Sequence, residues 1–354
     1  MGRFAKIKQF LPPSSRSFHG MYQEMVESNW IVKDTGLKLY EMDARLNERL
    51  DELERRLDAH DAHMKLLAWA TYRKEGESYD DARKRFFRVL PVATGSLRLL
   101  QLGCTQLLHE FDELCTKEGL TYWLAYGTLV GALRHQGFVP WDDDVDLGMM
   151  RGDIERLAEA LERSDRLRMT EVYDAYVRCR QLRIRYRDET NPCFLDIFVY
   201  DYTPSCERAL FERHQALRAA MVEEMATSEA LAFWKDDDAC IDAGRADARP
   251  IAETFARYAA QAAEAGCYLP NEDGAEGVIW SLDNMDDELG LGQRIVPLDT
   301  YFPVERVPFE GLMLPVPHKA TWLAEVEYGD ILDLPSDIHS HFSHVTEEEL
   351  DSLS

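Results

Sequence analysis

The sequence predicts a mixed α/β (α+β) core with a mainly helical insertion, preceded by a helical segment of coiled-coil character. Three observations carry this. Between residues 91 and 200, apolar runs of strand length interleave with amphipathic helical stretches, the pattern of a sheet with helices packed on it. Residues 207–265 are rich in Ala, Glu and Arg and read as helices. Upstream, Leu46, Leu50, Leu53, Leu57, His60, Met64 and Leu67 alternate at spacings of four and three, with charges such as Glu48, Arg49, Glu52 and Arg56 on the flanks. That is three heptads of a and d positions.

The implied organisation is an irregular leader over 1–36 and a helical, coiled-coil candidate segment over 37–90. A chemistry-bearing domain follows over 91–345, with its helical insertion at about 205–290, then a tail over 346–354. Pro12-Pro13-Ser14-Ser15 marks a break in the leader. Residues 37–75 form either a homo-oligomeric coiled coil or one long helix docked on its own domain. The basic stretch RKRFFR (83–88) reads as a solvated helix face. Leu97, Leu100, Cys104, Leu107, Leu108, Phe111 and Leu114 recur at helical spacing, and Gly119 supplies the stop.

TYWLAY (121–126) reads as a buried strand, Gly127-Thr128 as a turn, 129–135 as a short helix and 137–141 as a second turn. Strands are expected at 145–149, 168–173, 177–187 and 194–200, with an amphipathic helix over 153–161. WKDDDACID (234–242) reads as a loop between helices. Five prolines punctuate 295–318, and TWLAEVEYGDIL (321–332) is helical in pattern.

Composition narrows the function. With 40 Lys and Arg against 65 Asp and Glu, the chain carries a net charge of −25, which argues against nucleic acid as a partner. An anionic substrate must be met by a local basic patch or by metal. The seven cysteines are scattered without a CxxC pair, fitting reduced thiols better than a disulfide framework or a zinc site. No apolar run approaches the roughly 20 residues of a membrane span. A soluble cytoplasmic protein, peripheral at most to the inner face of the membrane, is the expectation. His339, His341 and His344 read as an ordinary loop.

The chemistry concentrates between residues 127 and 196. Asp144 and Asp146 are two apart, so on a strand their carboxylates project to one face. Asp196 interrupts a separate apolar strand, FLDIF, where an unpaired carboxylate is costly to bury. Hard oxygen ligands of this kind select Mg²⁺ or Mn²⁺, and such a site can align a phosphate for in-line displacement. Gly127 and Thr128 lie between the strand TYWLAY and the next helix, where backbone amides and a hydroxyl can approach a phosphate. Arg134 suits a phosphate grip, and His135 is either a general base or a hydrogen-bonded turn residue. Arg183 belongs to a run of alternating arginines on a strand-like stretch, one set of which can face an anionic substrate. Asp142 and Asp143 read as a solvated turn, and Trp141 as a packing residue.

Taken together, GTLVGALRHQGFVPWDDDVDLGMMRGDIERL (127–157) closely resembles the signature of the LicD family, relatives of the fukutin proteins. RQLRIRYRDET (180–190) resembles the family's basic strand, FLDIFVYD (194–201) its third-acid strand, and 307–335 its C-terminal block with YGD. The resemblance covers about 95–345. It implies a nucleotidyltransferase-type core with Asp144, Asp146 and Asp196 at the metal positions and Gly127 and Thr128 at the phosphate turn. It also implies transfer of a phospho-alcohol, such as phosphocholine or a polyol phosphate, from a CDP-linked donor. The acceptor would be a glycan or its lipid-linked precursor, as in lipopolysaccharide or teichoic-acid decoration. Two alternatives stand beside it: a nucleotidyltransferase moving an NMP group from an NTP, and a non-catalytic scaffold of a glycan-assembly complex. Tyr328-Gly329-Asp330 either lines the site or ends a helix.

Overall fold

A computed structural model describes residues 15–234, 240–284 and 295–333. The chain divides between Glu75 and Gly76 into two units. The first contains one helix, α1 (Ser15–Tyr72), of 58 residues. Its start corrects the expected leader: prolines and serines just ahead of a periodic run signal a helix start as readily as a break. Residues 1–14, the tail 346–354 and the three late histidines lie outside the described residues. No helix among the described residues is long and apolar enough to cross a membrane.

The second unit opens with α2 (Tyr79–Arg88), α3 (Gly95–Glu118), β1 (Tyr122–Leu124) and α4 (Tyr126–Arg134). It continues through β2 (Asp146–Met150), α5 (Arg151–Glu162), β3 (Leu167–Asp174), β4 (Cys179–Tyr186) and β5 (Phe194–Thr203). Then come α6 (Arg208–Thr227), β6 (Cys240–Asp242), α7 (Arg249–Glu264), β7 (Gly277–Trp280) and β8 (Ile295–Pro297). A hairpin of β9 (Glu305–Phe309) and β10 (Leu312–Val316) precedes α8 (Ala320–Tyr328). Glu310 and Gly311 turn that hairpin, both at positive φ (48° and 83°), as a two-residue turn matched to strand twist requires.

Eight strands form one mixed sheet in the order β1-β2-β5-β4-β3-β6, with β7 joining β5 and β8 joining β7. Only β2 and β5 pair in parallel among these contacts; the others are antiparallel. Strand alternation sends Leu147, Met149, Leu182, Ile184, Leu195, Ile197 and Val199 to one face, all buried. The apolar stripes of α3 and α5 pack with them into one core, and α3 ends where expected, at Gly119 with φ 63°. The opposite face carries the acids.

The insertion is only partly the expected helical block. α6 and α7 build their own core around Trp234 with Tyr173 and Ile241. However, β6 extends the sheet beyond β3, and β7 pairs with the second half of β5. Strands of three and four residues carry too little periodicity to be legible, and their partners are distant in sequence. The basic stretch 83–88 is also less solvated than expected. Arg83 pairs with Asp330 at 2.7 Å, Arg85 with Glu77 at 2.8 Å, and Phe87 is buried.

Gly148 permits the closest packing on the acid-bearing face. A Cβ there would collide with the indole of Trp123, which is itself buried. Gly148→Ala is expected to cost ~1–3 kcal/mol by overpacking, read as a lower urea midpoint with an unchanged slope.

Candidate functional site

The register of three neighbouring strands builds the centre of the site. Asp146 on β2 stands opposite Asp196 on β5, and Asp196 stands opposite Arg183 on β4. Residues in register share a face, so two carboxylates and a guanidinium form one row across the sheet. Asp144 lies just ahead of β2, which begins at Asp146, so the expected strand placement of both acids holds for the second alone. Asp144, Asp146 and Asp196 nevertheless converge, each offering an oxygen within 4.8 Å of the others.

The first turn of α4 fixes Asp146 by its backbone. Thr128 Oγ1 accepts from the Asp146 N–H at 2.9 Å, and the Ala125 N–H donates to the Asp146 carbonyl at 2.9 Å. Gly127 and Thr128 therefore sit inside that first turn, not in a free-standing loop. A Cβ on Gly127 would lie 3.0 Å from the Asp142 carboxylate, so glycine admits that acid against the helix. Tyr126, which opens the helix, is held at φ 43°, a left-handed conformation that a bulky residue adopts only when its surroundings enforce it. Those surroundings are Phe198 and Trp280, with ring centroids 5.0 and 5.6 Å away.

The trio concentrates negative charge in a crowded, partly buried setting. Burial pushes the Asp146 carboxyl well above the usual range, and the neighbouring Asp144, Asp196 and Asp142 push it further; Arg183 offsets part of this. Asp196 is buried, and it accepts from Arg183 Nε at 2.7 Å and from Gln181 Nε2 at 3.3 Å. Arg183 is further braced 4.2 Å over the Phe194 ring. Asp142, Asp143 and Asp144 form a second acid group of the same kind. Asp143 is buried, contrary to the solvated turn expected. The segment is tied down where Gln101 of α3 donates to the Asp142 carbonyl at 2.9 Å.

Two expected phosphate residues are directed elsewhere. Arg134 donates to His135 Nε2 at 3.0 Å and to the Ile331 carbonyl at 3.1 Å, and stacks 4.4 Å over Phe87. His135 places Nδ1 3.0 Å from the Phe87 carbonyl. With Nε2 accepting from Arg134, the ring is the Nδ1–H tautomer. Burial and Arg134 bring its pKa down to about 4, so it is neutral at physiological pH. Both side chains fasten α4 to α2 and to the segment after α8.

The sequence reading missed an aromatic pocket beside the acids. It is a cavity of about 70 Å³ that opens to solvent, lined by Trp123, Tyr126, Tyr200, Trp280, Tyr301 and Tyr328, with Glu327 also on its wall. Ala125 is also on the pocket wall, and its N–H bond to the Asp146 carbonyl ties the pocket to the trio. Of YGD, Tyr328 lines the pocket while Asp330 is a structural partner of Arg83. The hints in the sequence were the position of Tyr126 next to Gly127 and the reading of Tyr328 as lining the site. Its other rings come from β1, β5, β7, α8 and the segment before β9.

Residues 119–228 match the family model described as "LicD/FKTN/FKRP, nucleotidyltransferase domain". The chain is 30% identical over 142 residues to the lipopolysaccharide cholinephosphotransferase LicD of Haemophilus influenzae, covering 35% of this chain and 52% of that protein. It is 35% identical over 108 residues to an uncharacterized protein of Rickettsia prowazekii, covering 29% of this chain and 41% of that one. A shorter stretch of 36 residues is 53% identical to the human ribitol 5-phosphate transferase FKRP, or 10% of this chain and 7% of that protein. The chain thus spans about half the length of the first of these relatives and less of the others.

Proposed function

We propose, from the premise that residues 119–228 are a LicD/FKTN/FKRP nucleotidyltransferase domain, that this chain is a metal-dependent phosphotransferase. It moves a phospho-alcohol from a CDP-linked donor onto a hydroxyl of a glycan or a lipid-linked glycan precursor. The convergence of Asp144, Asp146 and Asp196 carries this reading. Three converging carboxylates, with Asp144 and Asp196 raising the pKa of Asp146, suit Mg²⁺ or Mn²⁺, which would neutralise them, grip the donor phosphates and stabilise charge on the transferring group. Arg183 would hold Asp196, and Thr128 would hold Asp146, in the orientation a cation needs. The acceptor oxygen would bond to the phosphorus as the bond to CMP breaks, and CMP would leave.

The pocket speaks for the identity of the alcohol. Six aromatic rings and one carboxylate suit a quaternary ammonium, which ring faces and a negative charge both attract. We therefore favour choline over ribitol or glycerol as the transferred alcohol. This agrees in kind with the cholinephosphotransferase relative.

The test is CMP release from CDP-choline, CDP-ribitol and CDP-glycerol in the presence of Mg²⁺. Glu327→Gln is expected to raise KM for CDP-choline about tenfold and to leave KM for a neutral-alcohol donor unchanged. Equal loss on every donor would remove the ammonium assignment. Pyrophosphate release from CTP, without CMP release from any CDP-alcohol, would assign nucleotidyl transfer instead.

A further inference from the structure

The long helix α1 presents an apolar stripe outward. Met25, Leu39, Leu46, Leu53, Leu57 and Leu67 are each at least half exposed. The stripe is longer than the three heptads that first mark it. Every seventh residue from Phe18 to Leu67 is apolar except His60, which continues the d positions through most of the helix. A helix of 58 residues is roughly 87 Å long, and apolar surface repeated along that length is the signature of an interface.

We propose that α1 pairs with α1 of a second copy of this chain as a parallel, in-register, two-stranded coiled coil. The flanking charges select this occupant and this orientation. With Leu50 and Leu57 at a and Leu46 and Leu53 at d, Arg49 and Arg56 fall at g, and Glu54 and Asp61 at e. In a parallel pair each g residue meets the e residue five positions on in the other helix. That brings Arg49 to Glu54 and Arg56 to Asp61, twice each across the pair. An antiparallel pair would set g against g and e against e, opposing like charges. Asp61 also pairs with Lys65 of its own helix at 2.9 Å, and its second oxygen can serve the partner. Asn29, Gly36 and Asp43 at a and His60 at d interrupt the apolar seam and restrict the register further. The acidic flank, including Glu48, Asp51, Glu52 and Asp58, disfavours an anionic lipid surface as the occupant.

The experiment uses the full chain carrying Cys206→Ser and Cys240→Ser, which remove the exposed thiols. Sedimentation equilibrium is expected to give twice the chain mass. Mild oxidation of a Leu53→Cys variant is expected to link two chains quantitatively, whereas Arg55→Cys, on the outer face, links few. The double variant Arg49→Glu, Arg56→Glu should dissociate at least tenfold more readily. Mixing it with Glu54→Arg, Asp61→Arg chains should restore a mixed dimer, which an unfolded helix could not do. A monomer, a trimer, or equal cross-linking at residues 53 and 55 would overturn the proposal. So would a monomer that sediments with phosphatidylglycerol vesicles, which would give the stripe to lipid.

Discussion

Asp146→Asn and Asp144→Asn are each expected to lower turnover on the order of 10³-fold or more, since a metal clamp contributes several kcal/mol to phosphoryl transfer. Stability should move the other way. Partial burial and the crowding of Asp144, Asp196 and Asp142 place the folded pKa of Asp146 above its unfolded value. A carboxyl raised in this way opposes folding increasingly as the pH climbs from the unfolded pKa, about 3.9, through the folded one. Without divalent ions, Asp146→Asn should therefore leave the unfolding midpoint unchanged or raise it at neutral pH. Mg²⁺ should raise the midpoint of the unmodified protein by a few degrees, through binding to the folded state alone, and should leave that of the variant where it was. Thermal scans with and without Mg²⁺, alongside CMP release, read both effects. Full turnover in both variants would end the metal assignment. Absence of Mg²⁺ and cytidine-nucleotide binding by calorimetry would favour the scaffold reading.

Asp283→Ala is expected to cost ~3–5 kcal/mol, because removing one partner leaves buried opposite charge uncompensated. Arg151 bonds to Asp201, Ser281 and Asp283, while Arg180 bonds to Asp283 at 3.0 Å and to Glu171 at 2.8 Å. Glu171, Arg180 and Asp201 lie on β3, β4 and β5, and Asp283 follows β7, so one carboxylate ties together the part of the sheet that carries the site. Burial alone would raise the Asp283 carboxyl, but Arg151 and Arg180 hold it well below the usual range. A depressed pKa stabilises the fold above the unfolded value and loses that contribution as pH falls through the folded one. The difference between the two proteins in urea should therefore be full at pH 7 and shrink below about pH 4. A loss under ~1 kcal/mol at pH 7 would show that the network is solvated, as exposed pairs are.

Much of the site was legible because its signals are local or ordered along the chain. Asp144, Asp146 and Asp196 stood out as acids in apolar, strand-like surroundings, where burial without a cation is expensive. Gly119 was legible as a helix stop, and the apolar spacing of α3 as a buried face. Arg134 and His135 were legible only as types suited to phosphate and proton transfer. Their direction depends on Phe87, more than forty positions earlier in the chain, and no spacing within 127–146 encodes that contact. Asp143 looked like one acid of a solvated turn, yet the segment is drawn inward by Gln101 of α3.

The sequence by itself determined the periodicities: an apolar stripe along α1, the helix faces of the core, and a paired acid followed by a third on another strand. These depend on the 3.6-residue and two-residue repeats of backbone geometry, which neighbouring residues reveal. Only the tertiary structure decided that Asp146, Asp196 and Arg183 stand in one row, because pairing register joins strands whose separation the chain does not specify. The same holds for the aromatic pocket. Its rings are single residues on β1, α4, β5, β7, α8 and the loop before β9, too far apart in the chain to be read as one group. They become one pocket only when the sheet and α8 close around them.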